Sequence, residues 1–462
     1  MDSRVEKFFN FIRGKEIAIC GLAVSNRPLV KLFAENGAHV TVYDKKTRQE
    51  LGAGADEAEG YGARLLLSYE NFGNIEADIL VRTPGLYFNS PAIKKARERG
   101  IIVTSEMEIF FDICPATKIA VTGSDGKSTT TTLIAEMLKQ DGKRVHLGGN
   151  IGRNLLAGIF DIKPEDYAVV ELSSFQLISM RSSPDIAVVT NVSPNHLDVH
   201  KDMQEYIDAK KNIYLHQGAF SKTVLNADNS VTFSFADEVR GKVYMFSMQQ
   251  KPNFGAYYKD SALYVSNAGR PEKIMDESDI LLVGKHNVEN YLAAISAVYG
   301  ICSTESMRYV ASHFKGVEHR CELVRERGGV KWYNDSIATS PTRTIAGLKA
   351  FNQKVIMIAG GYDKHVPFEP LAPYACQKVK ALILMGQTAD KIEKAVTSFK
   401  DYNEAELKIY RASCMEEAVK IADEISGEGD IVYLSPVSAS FDMYPNFEAR
   451  GRHFKDLVKG LL

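Results

Sequence analysis

The sequence predicts an α/β protein of three domains, the first and last Rossmann-like and the central one built around a phosphate-loop turn. Three observations carry that prediction. Short β-rich runs alternate with amphipathic helical stretches almost from end to end, the pattern of parallel sheets joined by crossover helices. A length of 462 residues suits three domains at roughly 150 residues each. Between a strand and a helix in the middle stands a glycine-rich turn, Thr122-Gly-Ser-Asp-Gly-Lys-Ser-Thr129.

The first domain, 1–105, opens with a helix on which Val5, Phe8, Phe9 and Ile12 share one face. Charges interrupt this opening and no cleavage site follows, so it does not read as a signal peptide. Strands are expected at 16–20, 38–43, 77–81 and 101–103, with a helix from Pro28 after the first. The second domain, 106–316, begins with a strand at 118–122, the glycine-rich turn and a helix over 128–140; further strands lie at 167–170 and 185–189. Residues 231–265 read as an inserted β-meander, a helix rich in Ala and Tyr follows His286, and Gly316 is the expected hinge. The third domain, 317–462, repeats strand then helix, with strands at 330–333, 354–358, 381–384, 407–410 and 430–434. Ser340 as cap and Pro341 in the first turn mark the start of its first helix.

Apolar residues make up 45% and charged residues 25%, ordinary for a globular chain, which removes disordered, collagen-like and coiled-coil readings. The 56 Lys and Arg against 58 Asp and Glu leave a formal charge of −2, no surface built to coat nucleic acid or an anionic membrane. No apolar run approaches the ~18–20 residues of a membrane span. The cysteines Cys20, Cys114, Cys302, Cys321, Cys376 and Cys414 are scattered without a C-x-x-C pair, the usage of reduced, mostly buried thiols in a cytosolic protein. The expectation is a cytoplasmic monomer with no nucleic-acid and no membrane partner.

In the central turn, glycines bring backbone N–H groups close to phosphate oxygens, and the helix N-terminus adds the positive end of its dipole. Lys127 can reach the β/γ-phosphates and the Ser128 hydroxyl can ligate Mg²⁺. Gly123, Ser124, Asp125, Gly126, Lys127, Ser128 and Thr129 are therefore candidate nucleotide contacts. The usual pattern is G-x-x-x-x-G-K-[ST], and here the two glycines stand two residues closer. Glu171 follows a strand at the carboxyl end of a parallel sheet, where α/β sites form, and is either a Mg²⁺ ligand or a helix-capping or surface carboxylate. His196 and His200 are spaced i,i+4, but no Glu follows His196 as in H-E-x-x-H and Pro194 makes the segment loop-like, so zinc is not expected. In the first domain Gly21, Ala23 and Asn26 occupy the three glycine places of a dinucleotide fingerprint; with two of three lost, NAD is not expected.

The shortened loop, with its run of threonines through Thr132, resembles that of the ATP-dependent Mur ligases. The resemblance extends in order through Gly148-Gly-Asn-Ile-Gly152, Glu171-Leu-Ser-Ser-Phe-Gln176, Asn191-Val-Ser-Pro-Asn-His-Leu-Asp198 and His286-Asn-Val-Glu-Asn290. His319-Arg320, Asn334-Asp-Ser336 and Leu434-Ser-Pro436 continue it. Glu171 to Gln176 and Ser440-Phe-Asp-x-x-x-Asn-Phe447 are most similar to the D-glutamate-adding branch. The resemblance implies a central P-loop ATPase-like domain and a ligase that adds D-glutamate to UDP-N-acetylmuramoyl-L-alanine through an acyl phosphate, in peptidoglycan precursor synthesis. The implied cofactors are ATP and two Mg²⁺ ions, held by Ser128, Glu171, His196 and a carbamylated Lys210; a solvated helical lysine is the alternative for Lys210. Asn150 would position phosphate and substrate, or serve only a left-handed turn. Asn287 would contact adenine or cap its helix, Arg320 the nucleotide phosphates and Asp335 the ribose, while His200 and Lys211 would lie on the surface.

The same resemblance gives the first domain the UDP end of the substrate, with Val24, Ser25, Asp44, Lys45 and Gly85 as contacts; Asp44 also reads as a strand-terminating turn residue. The acceptor amino acid would meet Thr339, Lys364 and Ser440, with Phe447 closing the site through its backbone. Ile337 departs from the pattern, standing where some members carry a lysine near the D-glutamate side chain, so Lys364 or a neighbour must supply that charge. Two rivals are a ligase of the same superfamily with other substrates and a nucleotide-driven binding module. A module has no use for the second metal site that Glu171, His196 and Lys210 would form.

Overall fold

The computed structural model describes residues 3–22, 26–68, 74–194, 199–364 and 366–461. The chain folds into two compact units, Met1–Asp279 with Val288–Ser312, and Ile280–Asn287 with His313–Leu462. The first expected domain and most of the second thus lie within one unit, while residues 280–287 and 313–316 of the second belong to the other.

The first unit opens with the helix Ser3–Ile12, which buries Val5, Phe9 and Ile12 as a 3.6-residue period requires. It packs by a five-stranded parallel sheet in the order Arg64–Leu66, His39–Tyr43, Glu16–Cys20, Ile79–Arg82, Ile102–Ser105. A second, six-stranded sheet follows in the order Lys242–Phe246, Lys222–Asn226, Ile186–Val189, Thr117–Thr122, Tyr167–Glu171, Val145–Gly149. Its strands Ile186–Val189, Thr117–Thr122 and Tyr167–Glu171 are near-continuous apolar runs, as parallel strands covered on both faces must be. One apolar cluster runs from Val5 and Phe33 through Phe110 to Leu177 and Phe235 and serves both sheets.

The expected meander over 231–265 is corrected. Ser230–Ser234 is helical, with Asn229 as N-cap accepting the Thr232 N–H, and Lys242–Phe246 joins the parallel sheet beside Lys222–Asn226. The antiparallel patch starts later, as Phe254–Lys259, Ala262–Asn267 and Arg270–Asp276. Its turns are two-residue loops, Asp260-Ser261 (φ 49° and 56°) and Ala268-Gly269 (φ 51° and 76°), whose left-handed pairs match the twist of the strands they join.

The second unit holds a six-stranded sheet in the order Glu322–Arg327, Val330–Asn334, Ile431–Leu434, Val355–Gly360, Val379–Met385, Lys408–Arg411. The first pair is antiparallel and the rest parallel. Ser340 caps the helix Pro341–Lys349 by position, but its side chain makes no capping hydrogen bond. All six cysteines are free thiols, with Cys20, Cys114 and Cys302 buried and the others partly covered. Among the described residues no helix is long and apolar enough to cross a membrane.

Candidate active site

Strand Thr117–Thr122 lies between Tyr167–Glu171 and Ile186–Val189, and its carboxyl end delivers the glycine-rich loop to the centre of the sheet. Gly126 has φ +77° and is the N-cap of the helix Lys127–Gln140, so the chain turns left-handed just before the first free N–H groups. A Cβ on Gly126 would stand 2.3 Å from Asn290 Oδ1, and one on Gly123 would stand 1.9 Å from Thr190 Oγ1. The loop is pinned from behind. Thr190 Oγ1 donates to the Asp125 carbonyl at 2.6 Å, Asp125 N–H donates to Asn191 Oδ1 at 2.9 Å, and Ser124 Oγ donates to the Ser193 carbonyl at 2.9 Å. Thr131 and Thr132 hydroxyls bond back to the Lys127 and Ser128 carbonyls, which accounts for the threonine run within a helix. Ser128 and Thr129 are buried in its first turn.

Two lysines converge on this loop. Lys127 Nζ folds back to donate to the Gly123 carbonyl at 3.1 Å and the Ser124 carbonyl at 2.9 Å. Lys210 reaches the same Gly123 carbonyl at 2.7 Å from the helix Met203–Leu215. Tyr206, one turn earlier, lays its ring 4.6 Å from the Lys210 ammonium and sets its hydroxyl 3.0 Å from Ser124 Oγ. Lys210 is 1% exposed, and burial, followed by the charge of Lys127, holds its proton affinity well below that of an ordinary lysine. An anion entering the loop meets the Lys127 ammonium and a helix N-terminus, with the Lys210 amine beside them.

Glu171 is also 1% exposed. Its Oε1 accepts from Asn150 Nδ2 at 2.8 Å, and the Asn150 N–H donates to the Glu171 carbonyl at 2.9 Å. Its Oε2 is buried with no hydrogen-bond partner among the described residues, an acceptor suited to a cation. An orphaned carboxylate oxygen, a glycine-rich turn opening on a helix N-terminus and a suppressed lysine fit nucleotide and Mg²⁺ binding. Among the described residues no cluster of three His, Cys, Asp or Glu could hold a metal by itself. His196 lies outside the described residues. His200 is corrected from surface to core: it is 2% exposed, bonded to Ser174 Oγ at 2.8 Å and stacked on Phe175.

At the carboxyl edge of the five-stranded sheet, Asp44 is buried and accepts from Leu22 N–H at 2.6 Å and Lys46 N–H at 2.9 Å. It terminates its strand and closes the Gly21–Leu22 loop at once. Gly85 donates its N–H to Thr83 Oγ1 at 3.0 Å, and Lys45 and Gly85 are exposed. Val24 and Ser25 lie outside the described residues.

In the second unit, Arg320 stands between His319 (φ 64°) and Cys321 (φ 42°), and its buried Nε has no partner among the described residues. Asp335 is 5% exposed and internally engaged, its Oδ1 by Cys321 N–H at 3.1 Å and its Oδ2 by Tyr433 hydroxyl at 2.5 Å; burial raises its carboxyl to about 6. Asn287 donates its amide to the Val283 carbonyl at 2.7 Å. Thr339 is partly buried, Ser440 buried, Lys364 exposed, and the Phe447 carbonyl accepts Ser336 Oγ at 2.8 Å. What sequence reasoning missed is Arg450. It is 1% exposed and donates to Ser336 Oγ, the Ser336 carbonyl, the Ala439 carbonyl and the Ser438 carbonyl at 2.9–3.1 Å. It knits together the loops that carry Thr339, Ser440 and Phe447. Thr190 and Tyr206 were missed likewise, and only their places beside quoted motifs could have signalled them.

A family model described as "Mur ligase middle domain" matches residues 121–298, and one described as "Mur ligase, glutamate ligase domain" matches residues 319–437. Two curated relatives, from Clostridium botulinum strains Okra (Type B1) and Hall (Type A), are each named UDP-N-acetylmuramoylalanine--D-glutamate ligase. Both are 48% identical over 462 residues, covering 100% of this chain and of the relative. Among solved structures, the UDP-N-acetylmuramate-alanine ligase MurC of Thermotoga maritima gives a TM-score of 0.60 at 17% identity, covering 96% of this chain and 99% of the other. A pseudomurein peptide ligase type C of Methanothermus fervidus gives 0.55 at 19% identity with the same coverage. At such identities the structural likeness speaks for the fold.

Proposed function

The chain belongs to the Mur ligase family, and from that membership we propose that it is the ATP-dependent ligase that joins D-glutamate to UDP-N-acetylmuramoyl-L-alanine. The observation that carries the chemistry is the pairing of a suppressed, buried Lys210 with the carbonyl of Gly123 inside a phosphate loop. A neutral amine is the form that adds CO₂, losing a proton to become a carbamate, and that conversion turns a cation into an oxygen ligand.

Gly123 to Thr129 would cradle the nucleotide phosphates, with Lys127 over the transferring group and Asn150 orienting phosphate and substrate. Ser128, Glu171, His196 and carbamylated Lys210 would hold Mg²⁺, which supplies neutralisation of phosphate charge when bound. The carboxylate of the nucleotide sugar's alanine would attack the γ-phosphoryl group, giving an acyl phosphate that is electrophilic where the free carboxylate is not. The D-glutamate amine then displaces phosphate through a tetrahedral intermediate. Positioning and charge neutralisation do most of this, with no covalent step on the protein. In this reading 1–105 takes the UDP end through Val24, Ser25, Asp44, Lys45 and Gly85, and 106–316 takes ATP and metal. The remainder, 317–462, takes the acceptor through Thr339, Lys364, Ser440 and Phe447. Arg320, Asp335 and Asn287 are the further nucleotide contacts. The reaction needs neither nucleic acid nor membrane, and a cytoplasmic monomer would suffice for it.

The test is phosphate release with the muramoyl-alanine nucleotide, ATP, Mg²⁺ and a panel of amino acids. Turnover with D-glutamate supports the reading. Turnover with L-lysine or L-alanine and none with D-glutamate overturns it, and tight ATP binding without any turnover favours a binding module.

A further inference from the structure

One carboxylate ties the turn that carries Gly85 to the helix that carries Lys210. Glu205 stands in the first turn of the helix Met203–Leu215, where its N–H donates to the N-cap Asp202 Oδ1 at 2.8 Å. Its Oε1 accepts from the Tyr87 hydroxyl at 2.5 Å and from Asn89 Nδ2 at 3.4 Å. Its Oε2 accepts the Lys201 N–H at 2.9 Å and lies 3.4 Å from His200 Nδ1. A first-turn glutamate is favoured by the helix dipole alone, but that role needs neither Tyr87 nor Asn89. Burial raises the Glu205 carboxyl, yet the bonds from Tyr87, Lys201, His200 and Asn89 outweigh it and hold the group below the usual carboxylate range. Bonds to an ionised acceptor are the stronger kind.

The contacts continue inward. His200 stacks on Phe175 with ring centres 5.1 Å apart, meets the Tyr206 ring edge-on at 5.3 Å and bonds to Ser174 Oγ at 2.8 Å. Tyr206 in turn reaches Ser124 of the glycine-rich loop and covers the Lys210 ammonium. Gly85 itself lies between two tethers. Arg82 before it is bonded to the Phe175 carbonyl and Ser179 Oγ, and Tyr87 after it is bonded to Glu205. A hydrogen-bonded helix moves as one piece, so a shift of Glu205 carries Tyr206 and Lys210 with it.

We propose that Glu205 is a positioning residue: through Tyr87 it sets the Gly85 turn, and the nucleotide sugar held there, against the helix that bears Tyr206 and Lys210. The assignment rests on the ligase reading above, in which Gly85 meets the nucleotide sugar and Lys210 the metal, and adds to it the residue that fixes one against the other.

Steady-state kinetics of the full chain tests it, with Tyr87→Phe, Glu205→Ala, Glu205→Gln and the double variant Tyr87→Phe/Glu205→Ala beside wild type. Tyr87→Phe removes one hydroxyl and no packing. Its KM for UDP-N-acetylmuramoyl-L-alanine should rise about tenfold, the order of one bond to a charged acceptor. The KM for ATP should stay within about twofold, because the glycine-rich loop is untouched. Glu205→Gln keeps an acceptor for the Tyr87 hydroxyl and should lose less than Glu205→Ala. The double variant should be no worse than Glu205→Ala alone, since partners in one network are not additive. A lower melting temperature with both KM values unchanged, equal rises for nucleotide sugar and ATP, or losses that simply add would each overturn the assignment while leaving the ligase reading intact. A wild type that does not turn over D-glutamate with this nucleotide sugar overturns the reading itself, and the assignment with it.

Discussion

The Lys210 amine donates to the carbonyl of Gly123 at 2.7 Å, from a position 1% exposed. Such a lysine is costly as a cation. Its folded proton affinity lies below the ordinary value of 10.5, so the unfolded chain binds more protons and stability rises with pH through that window. The deficit is complete below the folded value and gone above 10.5. In bicarbonate-free buffer, Lys210→Met should therefore melt higher than wild type at pH 7, with the gap closing as pH rises, and should not ligate. A Met variant less stable than wild type at pH 7 would contradict this.

Gly126 should tolerate no side chain. Its φ of +77° costs an L-residue about 1–2 kcal/mol, and the added Cβ would meet Asn290 Oδ1 at 2.3 Å. Gly126→Ala should weaken ATP binding at least about tenfold, since one such step is only 1.4 kcal/mol. Titration calorimetry measures it, and an unaltered affinity would mean that this turn does not hold the nucleotide.

Arg82 ties the turn after its strand to the segment that follows Glu171. Its Nη2 donates to the Phe175 carbonyl at 3.0 Å and to Ser179 Oγ at 2.6 Å, and its Nη1 faces the Thr83 and Leu86 carbonyls at 3.4 Å. Arg82→Met leaves these buried acceptors unmatched, a cost of about 2–4 kcal/mol. The KM for the nucleotide sugar should rise more than that for ATP, because Gly85 sits on the released turn. Equal changes in both would reduce Arg82 to a residue of stability alone.

Glu106 gives a pH signature. Burial pushes its carboxyl up to about 8 from 4.5, against the N–H groups of Leu155 and Leu156. The folded chain then holds a proton that the unfolded chain releases, so this contribution is full below pH 4.5 and is lost as pH rises through about 8. Between pH 6 and 9, wild type should lose thermal stability relative to Glu106→Gln. Parallel melting profiles across that range would show that Glu106 is ionised in the fold.

What was legible in the sequence was local. Parallel strands are continuous apolar runs, and the phosphate loop is a contiguous string, so both could be read from neighbours along the chain. Residues 231–235 misled because Val-Thr-Phe-Ser-Phe alternates like a strand, whereas Asn229 caps it as a helix. Arg450 could not be read at all: one arginine in an amphipathic helix looks like a surface charge, and its burial depends on loops at 336 and 438–439 that only the fold brings together.

Isotope transfer tests the central claim most directly. The nucleotide sugar, labelled with heavy oxygen in its alanine carboxylate, is incubated with ATP, Mg²⁺ and D-glutamate, and the released phosphate is analysed by mass spectrometry. An acyl phosphate requires one labelled oxygen in every phosphate released, with amide product formed in equal amount. Unlabelled phosphate, or phosphate released without amide, would contradict ligation by this route.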